Sequence, residues 1–451
     1  MPVRCIFITF LIWVISSISY SESEINSKSI VEDQFDGYVN SLHVLQNDQY
    51  ISSDVEKPNE SQGVITLQRA LSLALLQNPE LKSFSKEIRA KEAQYLQTGL
   101  FPNPELLVEA ENFGGENGKQ NFDGVETTIW ISQLVPLGGK ISKKKRVATL
   151  EKDLSVWDYE SKRLDVLAAT ARAFIELLSA QEHLYLAGEQ KKFAQRVLNT
   201  VSARVEAGKG FPTEEINAEV ALSSALLELG RWTRTLSAKR RNLAILWGNY
   251  GPEFKRAAGS LYTIREIPEL DKLTDKLSQN PELARWKHEL EMRTAVIKRE
   301  NADAVPDVTV SFGKRFFAED NSDAFVMGFE MPLPVFNRNQ GSRLEARHRL
   351  HKAEKDKETV KLQMLRLLSD SYNDLSTAFM EVRTLRDSVI PNAGRVFDSA
   401  SEWYRKGKFS YLQVLDAQRT LFQIRNEYIN ALTEYHHGIN NVERLIADKL
   451  D

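Results

Sequence analysis

Along residues 147–178, apolar side chains recur in steps that alternate three and four: Val147, Leu150, Leu154, Trp157, Leu164, Ala168, Ala171, Ile175 and Leu178, with polar Ser161 filling one step. A mean step of 3.5 residues belongs to a helix that wraps a partner as a left-handed coiled coil. The rhythm returns at Leu365, Leu368, Tyr372, Leu375, Phe379 and Val382, with Val389 one heptad further. One unbroken helix over residues 139–206 would be roughly 100 Å long at about 1.5 Å per residue, longer than any compact domain is wide. Each long helix is followed by a returning one, over 213–247 and 411–447; the second carries a seam of Tyr428, Leu432, Tyr435, Ile439, Val442 and Ile446.

A second rhythm has period two and predicts strands at about 104–113, 124–135, 306–317 and 324–334. Val308, Val310 and Phe312 alternate with Asp307, Thr309 and Ser311, and Phe325, Met327, Phe329, Met331 and Leu333 alternate with Ala324, Val326, Gly328 and Glu330. The earlier pair is noisier: Leu106, Val108 and Ala110, then Val125, Thr127, Ile129 and Ile131, across a polar Gly-rich loop at 114–124. Strands of about 9–11 residues with one apolar face suit a bilayer-crossing barrel.

The two rhythms belong to a duplication. Asn78-Pro79-Glu80-Leu81 recurs 202 residues later as Asn280-Pro281-Glu282-Leu283. After each copy come a helix of about twenty residues, a proline turn (Pro102 or Pro306), a hairpin and a Pro-Leu stop (Pro136-Leu137 or Pro332-Leu333). Then follow a long helix, a glycine-marked tip (Gly208 or Gly407) and a returning helix. So many features in one order mark an internal repeat. The expected layout is a first repeat over 64–250, a linker or equatorial segment over 251–268 and a second repeat over 269–451. Residues 22–63 are polar and acidic and read as a flexible extension.

Residues 1–21 change the compartment. Met1-Pro2-Val3-Arg4, the apolar run 5–15 and the small-residue end at Ser19-Tyr20-Ser21 describe a secretory signal peptide. The apolar core is about half the ~20 residues of a spanning helix, and no later run approaches that length. The single cysteine, Cys5, lies inside the leader. A net charge of −3 with 27% charged residues gives no basic excess for nucleic acid.

Four strands cannot close a barrel, and open edges in lipid leave backbone groups unsatisfied, so several chains must pool their hairpins. Two chains give eight strands, whose interior side chains fill; three give twelve and leave a lumen. The long helices are charged away from their seams and must project from one side as a tube through water.

At this point the chain resembles the TolC family of outer-membrane efflux proteins over roughly residues 66–446. The resemblance is carried by the paired Asn-Pro-Glu-Leu motifs, Pro136-Leu137-Gly138-Gly139, the run from Pro332 to Gly341 (PLPVFNRNQG), and the run from Gly407 to Gln418 (GKFSYLQVLDAQ). The PLPVFNRNQ segment is most similar to the CzcC-like heavy-metal efflux branch. The resemblance implies a mainly α fold with a β-barrel portion: duplicated coiled-coil hairpins and two β-hairpins, trimerising into a 12-stranded outer-membrane barrel and a periplasmic α-barrel. It implies the outer membrane of a Gram-negative bacterium and contact with its lipid. The implied partners are a periplasmic adaptor and an inner-membrane proton-driven transporter of the resistance–nodulation–division (RND) class. Cargo is expected to be heavy-metal cations, with drug efflux or type I protein secretion as alternatives on the same duct. A coiled-coil envelope scaffold without a channel is the alternative of another class, and it leaves the hairpins unexplained.

In the family the tunnel closes at the tips, where adaptor hairpins dock. The tip residues here are Gly208, Lys209 and Gly210 in the first repeat and Gly407, Lys408 and Ser410 in the second. Glycine also suits a left-handed residue ending a helix. Asp416 matches an acidic gate position, where three related carboxylates would attract cations; Gln413 stands where the archetype has a second acid, and Asn217 and Glu219 are the first-half counterparts.

Other chemistry falls away. His348 and His351 share a helix face with Glu345 nearby, but a zinc site wants three or four convergent ligands. His436 and His437 point to different faces, and Met327 and Met331 lie on an apolar strand face. Neither a P-loop nor a hydrolase or metalloprotease motif occurs, so no cofactor or catalysis is expected and energy must come from a partner. The basic run Lys143–Arg146 reads as solvated charge at a membrane-proximal helix start.

Overall fold

The computed structural model describes residues 62–114 and 124–450. The expected leader, nearly all of the extension, and the tip of the first hairpin lie outside the described residues. The helices are α1 (Leu67–Gln77), α2 (Pro79–Thr98), α3 (Lys140–Glu206), α4 (Pro212–Ile245), α5 (Leu270–Lys276), α6 (Pro281–Asp303), α7 (Gln340–Thr384), α8 (Ile390–Arg405) and α9 (Tyr411–Ile446). The strands are β1 (Gly63–Thr66), β2 (Glu105–Glu111), β3 (Glu126–Val135), β4 (Phe254–Ala258), β5 (Val308–Phe317) and β6 (Ser322–Glu330).

Helix α3 runs 67 residues without a break, and its seam is buried at Val147, Leu150, Leu154, Leu164, Ala168, Ala171, Ile175 and Leu178. The second long helix differs. A π-turn, Leu385–Val389, separates α7 from α8, and Pro391 follows at the start of α8. Proline has no N–H and its ring displaces the carbonyl four residues back, here that of Asp387. The wider turn accommodates it.

Asn-Pro-Glu-Leu has a structural purpose that pattern reading misses. Asn78 caps α2, its side-chain oxygen accepting from the N–H groups of Glu80 (2.9 Å) and Leu81 (3.0 Å). Its amide then donates to the carbonyl of Leu246 at the end of the first return (2.8 Å). Asn280 repeats this, accepting from Glu282 (2.8 Å) and donating to the carbonyls of Leu445 (2.9 Å) and Arg444 (3.1 Å). Each asparagine thus fills an N-cap and a helix C-terminus at once, while the proline occupies a position that needs no N–H.

The segment 251–268 is fastened across the helices. Its strand β4 pairs in parallel with β1, whose first residue, Gly63, closes the expected extension. Gln181 of α3 sews it down, donating to the Ala257 carbonyl (3.1 Å) and accepting from the Ala257 N–H (2.7 Å). The Tyr435 hydroxyl holds the Arg265 backbone likewise, donating to its carbonyl (3.0 Å) and accepting from its N–H (2.8 Å). This belt covers the middle of the helices, over the largest apolar cluster. That cluster includes Phe174, Leu178, Leu375, Leu432 and Tyr435.

The second sheet is antiparallel in the order β2-β3-β5-β6. Its last strand ends at Glu330, short of the expected 334, because Pro332 and Pro334 cannot donate to a ladder. Among the described residues no helix is long and apolar enough to cross a membrane.

Candidate functional site

Cross-strand register sorts the hairpin side chains into two faces. One face aligns Leu106 and Val108 with Ile131 and Ile129, Ile131 with Phe312, Phe312 with Met327, and Val310 with Phe329. These side chains stand in the open: Phe312 is 54% exposed, Met327 64% and Phe329 72%. Gln133 and the ion-paired Lys314 and Asp323 share this face, but its apolar stretch is large enough to need lipid or protein against it.

The other face is mixed but acidic in charge: Glu105, Glu109, Glu111, Glu126, Glu330 and Arg315 stand there with Thr128, Ser132 and Ser311, beside Leu107, Trp130, Leu134, Phe317 and Val326. Arg315 is held in place there. Its guanidinium donates to the Thr128 hydroxyl (2.9 Å) and to Glu126 (3.1 Å), and lies 3.5 Å from Glu111. Nothing in the sequence singled out Arg315; only the register places it among those carboxylates.

Strands β2 and β6 are the free edges of this sheet. The helices repeat that arrangement. Near the sheet the packing order is α2–α3–α6–α7, and towards the tips it is α4–α3–α9–α7/α8. The first-half edge therefore carries β2, α2 and α4, and the second-half edge carries β6, α7 and α8. Large apolar residues lie uncovered on both: Leu96, Leu100, Phe101, Val220 and Leu227 on one, Leu333, Val335, Phe336 (91% exposed) and Leu362 on the other.

At the tips the two repeats use one device. Gly208 (φ 68°) and Gly407 (φ 73°) are left-handed, where a Cβ is penalised. Lys209 N–H donates to the Arg204 carbonyl (2.8 Å) and Lys408 N–H to the Trp403 carbonyl (2.9 Å), with shorter-range bonds from each glycine N–H. This paired pattern closes a helix end. Gly210 has ordinary backbone and crowds Val205 and Glu214, which lie 3.3 Å from where its Cβ would stand.

Arg204 joins the two tips. Its guanidinium sits 4.6 Å from the Tyr404 ring centre and donates to the Tyr404 carbonyl (3.4 Å). Tyr404 and Tyr411 are buried in a small cluster with Val201, Ala218, Ala400 and Val414, and that burial raises both phenol pKa values. The lysines Lys406 and Lys408 stand over the Trp403 ring at 5.2 and 4.5 Å. Ser410 caps α9, and Gln413 closes the capping box by accepting from the Ser410 N–H (3.1 Å). Gln413 therefore has a helix-capping task whatever it faces. Asp416, one turn further, is exposed, as are Asn217 and Glu219 on α4.

The histidines lie apart from this. His351 lies 3.2 Å from Glu354, and Glu345 pairs with Arg349 instead (2.7 Å). His436 is buried with Nε2 against the Leu261 carbonyl (2.9 Å), and His437 is buried beside it on α9. Among the described residues no three His, Cys, Asp or Glu side chains are grouped to hold a metal ion.

Comparison with known proteins agrees with this geometry. The outer membrane efflux protein family matches residues 70–249 and 273–447, one match per repeat. The cobalt-zinc-cadmium resistance protein CzcC of Cupriavidus metallidurans is 34% identical, over 90% of this chain and 95% of its own. The pyoverdine export outer membrane protein OpmQ of Pseudomonas aeruginosa is 23% identical over 82% of each chain. Among solved structures, the CusC channel superposes with a TM-score of 0.71 at 18% identity, covering 84% of this chain and 91% of that one.

Proposed function

The chain belongs to the outer membrane efflux protein family, and from that premise we propose that three copies close into an exit duct for heavy-metal cations. The carrying observation is the four-stranded sheet with one apolar face, one acidic face and two free edges. Three such sheets supply twelve strands when β6 of one copy pairs with β2 of the next, which satisfies every edge in lipid. The helical edges meet in the same head-to-tail sense, α7 and α8 of one copy against α2 and α4 of the next, covering the apolar residues left open on each. The outer-membrane sheet and the projecting helices then form one continuous tube.

The heavy-metal cargo rests on the 34% identity to a cobalt-zinc-cadmium resistance protein, against 23% to a pyoverdine export outer membrane protein. The acidic lumenal strand face suits cations. Asp416 would contribute a ring of three carboxylates near the tip. Adaptor hairpins would dock around Gly208, Lys209, Gly210, Gly407, Lys408 and Ser410, and an RND-class inner-membrane transporter would supply the energy. The test has two arms. Purified protein should sediment as a trimer and conduct in a planar bilayer; a monomer without conductance would overturn the duct. Deleting the gene should lower tolerance to cobalt, zinc or cadmium, and unchanged tolerance to all three would sink the cargo.

A further inference from the structure

We infer that Trp130 forms an aromatic shelf for organic cations on the inner wall of the barrel. The inference rests on the duct reading above, which makes the acidic sheet face the lumen. Register places Trp130 on that face, opposite Leu107 on β2 and Gly313 on β5. Strand side chains ordinarily stand up from the sheet beside their neighbours. Here the neighbour on β5 has no side chain. The indole therefore crosses β5, and its Cζ3 edge comes 3.8 Å from where a Cβ of Gly328 would lie, one strand further on.

Burial agrees with that pose. Gly313 is buried while the rest of β5 is not, so the indole roofs it. Trp130 itself is half-buried: one face of the ring lies on the sheet and the other is open. The glycine is also required by the backbone. A Cβ on Gly313 would collide with the Ile129 carbonyl, because β3 and β5 approach closely there, as strand glycines allow.

Charge surrounds the shelf. Glu105 and Glu109 flank Leu107, diagonal to Trp130, and Glu330 stands two residues beyond Gly328. Diagonal neighbours lie about 7–8 Å apart, within reach of long side chains. These three carboxylates are exposed and form no ion pair among the described residues. Arg315, the one cation on this face of the described strands, is engaged by Glu126 and Glu111. An indole face attracts a cation best when little water stands between them. A small divalent metal ion keeps its water shell and gains from the carboxylates alone. A flat aromatic cation covers the open ring face and sets its charge beside a glutamate, so it is the ligand class the shelf fits.

The probe is methyl viologen, a flat aromatic dication, with magnesium as the dication that has no flat face. Equilibrium dialysis of detergent-solubilised full-length protein measures both. Trp130→Leu should weaken methyl viologen about fivefold and leave magnesium unchanged, and Trp130→Phe should keep part of the native affinity. Glu105→Gln combined with Glu109→Gln should weaken both ligands. A Trp130→Leu trimer that binds methyl viologen like the native protein would overturn the shelf, as would unchanged binding in the glutamine pair. Should Trp130→Leu fail to assemble, fluorescence of Trp130→Phe decides, because an electron-poor ring quenches an indole it stacks on. Native quenching should saturate with binding and shrink in Trp130→Phe; equal quenching in the two would overturn the shelf. A native protein that never conducts in a planar bilayer refutes the duct, whereas dialysis and quenching test the shelf without it.

Discussion

The two returning helices descend from one repeat, yet they live in different surroundings. Of the 34 residues of α4, four are buried: Ala218, Ala225, Leu243 and Ala244. Of the 36 residues of α9, twenty are, including Tyr435, His436, His437, Asn440 and Glu443. The cause is position. Helix α9 is flanked by α3 and by the second long helix, whereas among the described residues α4 packs chiefly on α3, with a small contact to β4. The first repeat has consequently kept apolar residues such as Val220 and Leu227 on an open face, which a second copy would cover. The second repeat has converted its return into a core element and holds the break in its long helix. Duplication supplied two equal hairpins; one became an edge and the other a centre.

The severest way to break that comparison is to charge the edges. Leu100→Asp combined with Phe336→Asp should leave the protomer folded, since both side chains are exposed, but abolish the trimer in sedimentation analysis. The matching change at a core position of α9, Leu432→Asp, should instead prevent folding, because an unpaired buried carboxylate costs several kcal/mol.

The next test concerns the two asparagine clamps. Asn78→Ala and Asn280→Ala each remove a cap and strand one or two buried carbonyls, so each should cost about 2 kcal/mol. Asn78 makes two cap bonds and one carbonyl bond, Asn280 one cap bond and two carbonyl bonds, so the thermal midpoint shows which matters more: a larger drop for Asn280→Ala would assign the effect to the clamp, a larger drop for Asn78→Ala to the cap.

A smaller difference should appear with pH. Burial pushes the imidazoles of His436 and His437 down to about 4, while the matching positions of α4 are Ser237 and Ala238. The unfolded chain binds protons at those two sites that the folded helix refuses. Their stabilisation is therefore complete above the ordinary imidazole value and declines as pH falls from there towards 4. Thermal midpoints at pH 7 and pH 5 should differ less for the His436→Asn, His437→Asn double variant than for the native chain.

The smallest test probes where the halves agree. Gly208→Ala and Gly407→Ala should each cost about 1 kcal/mol, because both glycines hold left-handed backbone with open space around them. Unequal costs would show that the tips are not interchangeable even as local folds.

Much of the architecture was legible because it is periodic. Heptad steps identify α3 and the second long helix, period-two runs identify the hairpins, and glycine and proline mark their ends. Isolated contacts were not legible in that way. Arg315 is an ordinary strand residue until the register sets it beside Glu126, and Arg204 is an ordinary helix residue until the second tip arrives at Tyr404. The short pairing of β1 with β4 spans about 190 residues of chain, and four- and five-residue strands carry no periodic signal.

By itself the sequence determined the duplication, the long helices and the two-faced hairpins. Each of these follows from local periodicity. Tertiary structure alone decided which repeat lies at the edge, where the cores divide, and what the repeated asparagines hold. Those outcomes depend on which helix packs beside which, and the period of a single helix does not name its neighbour.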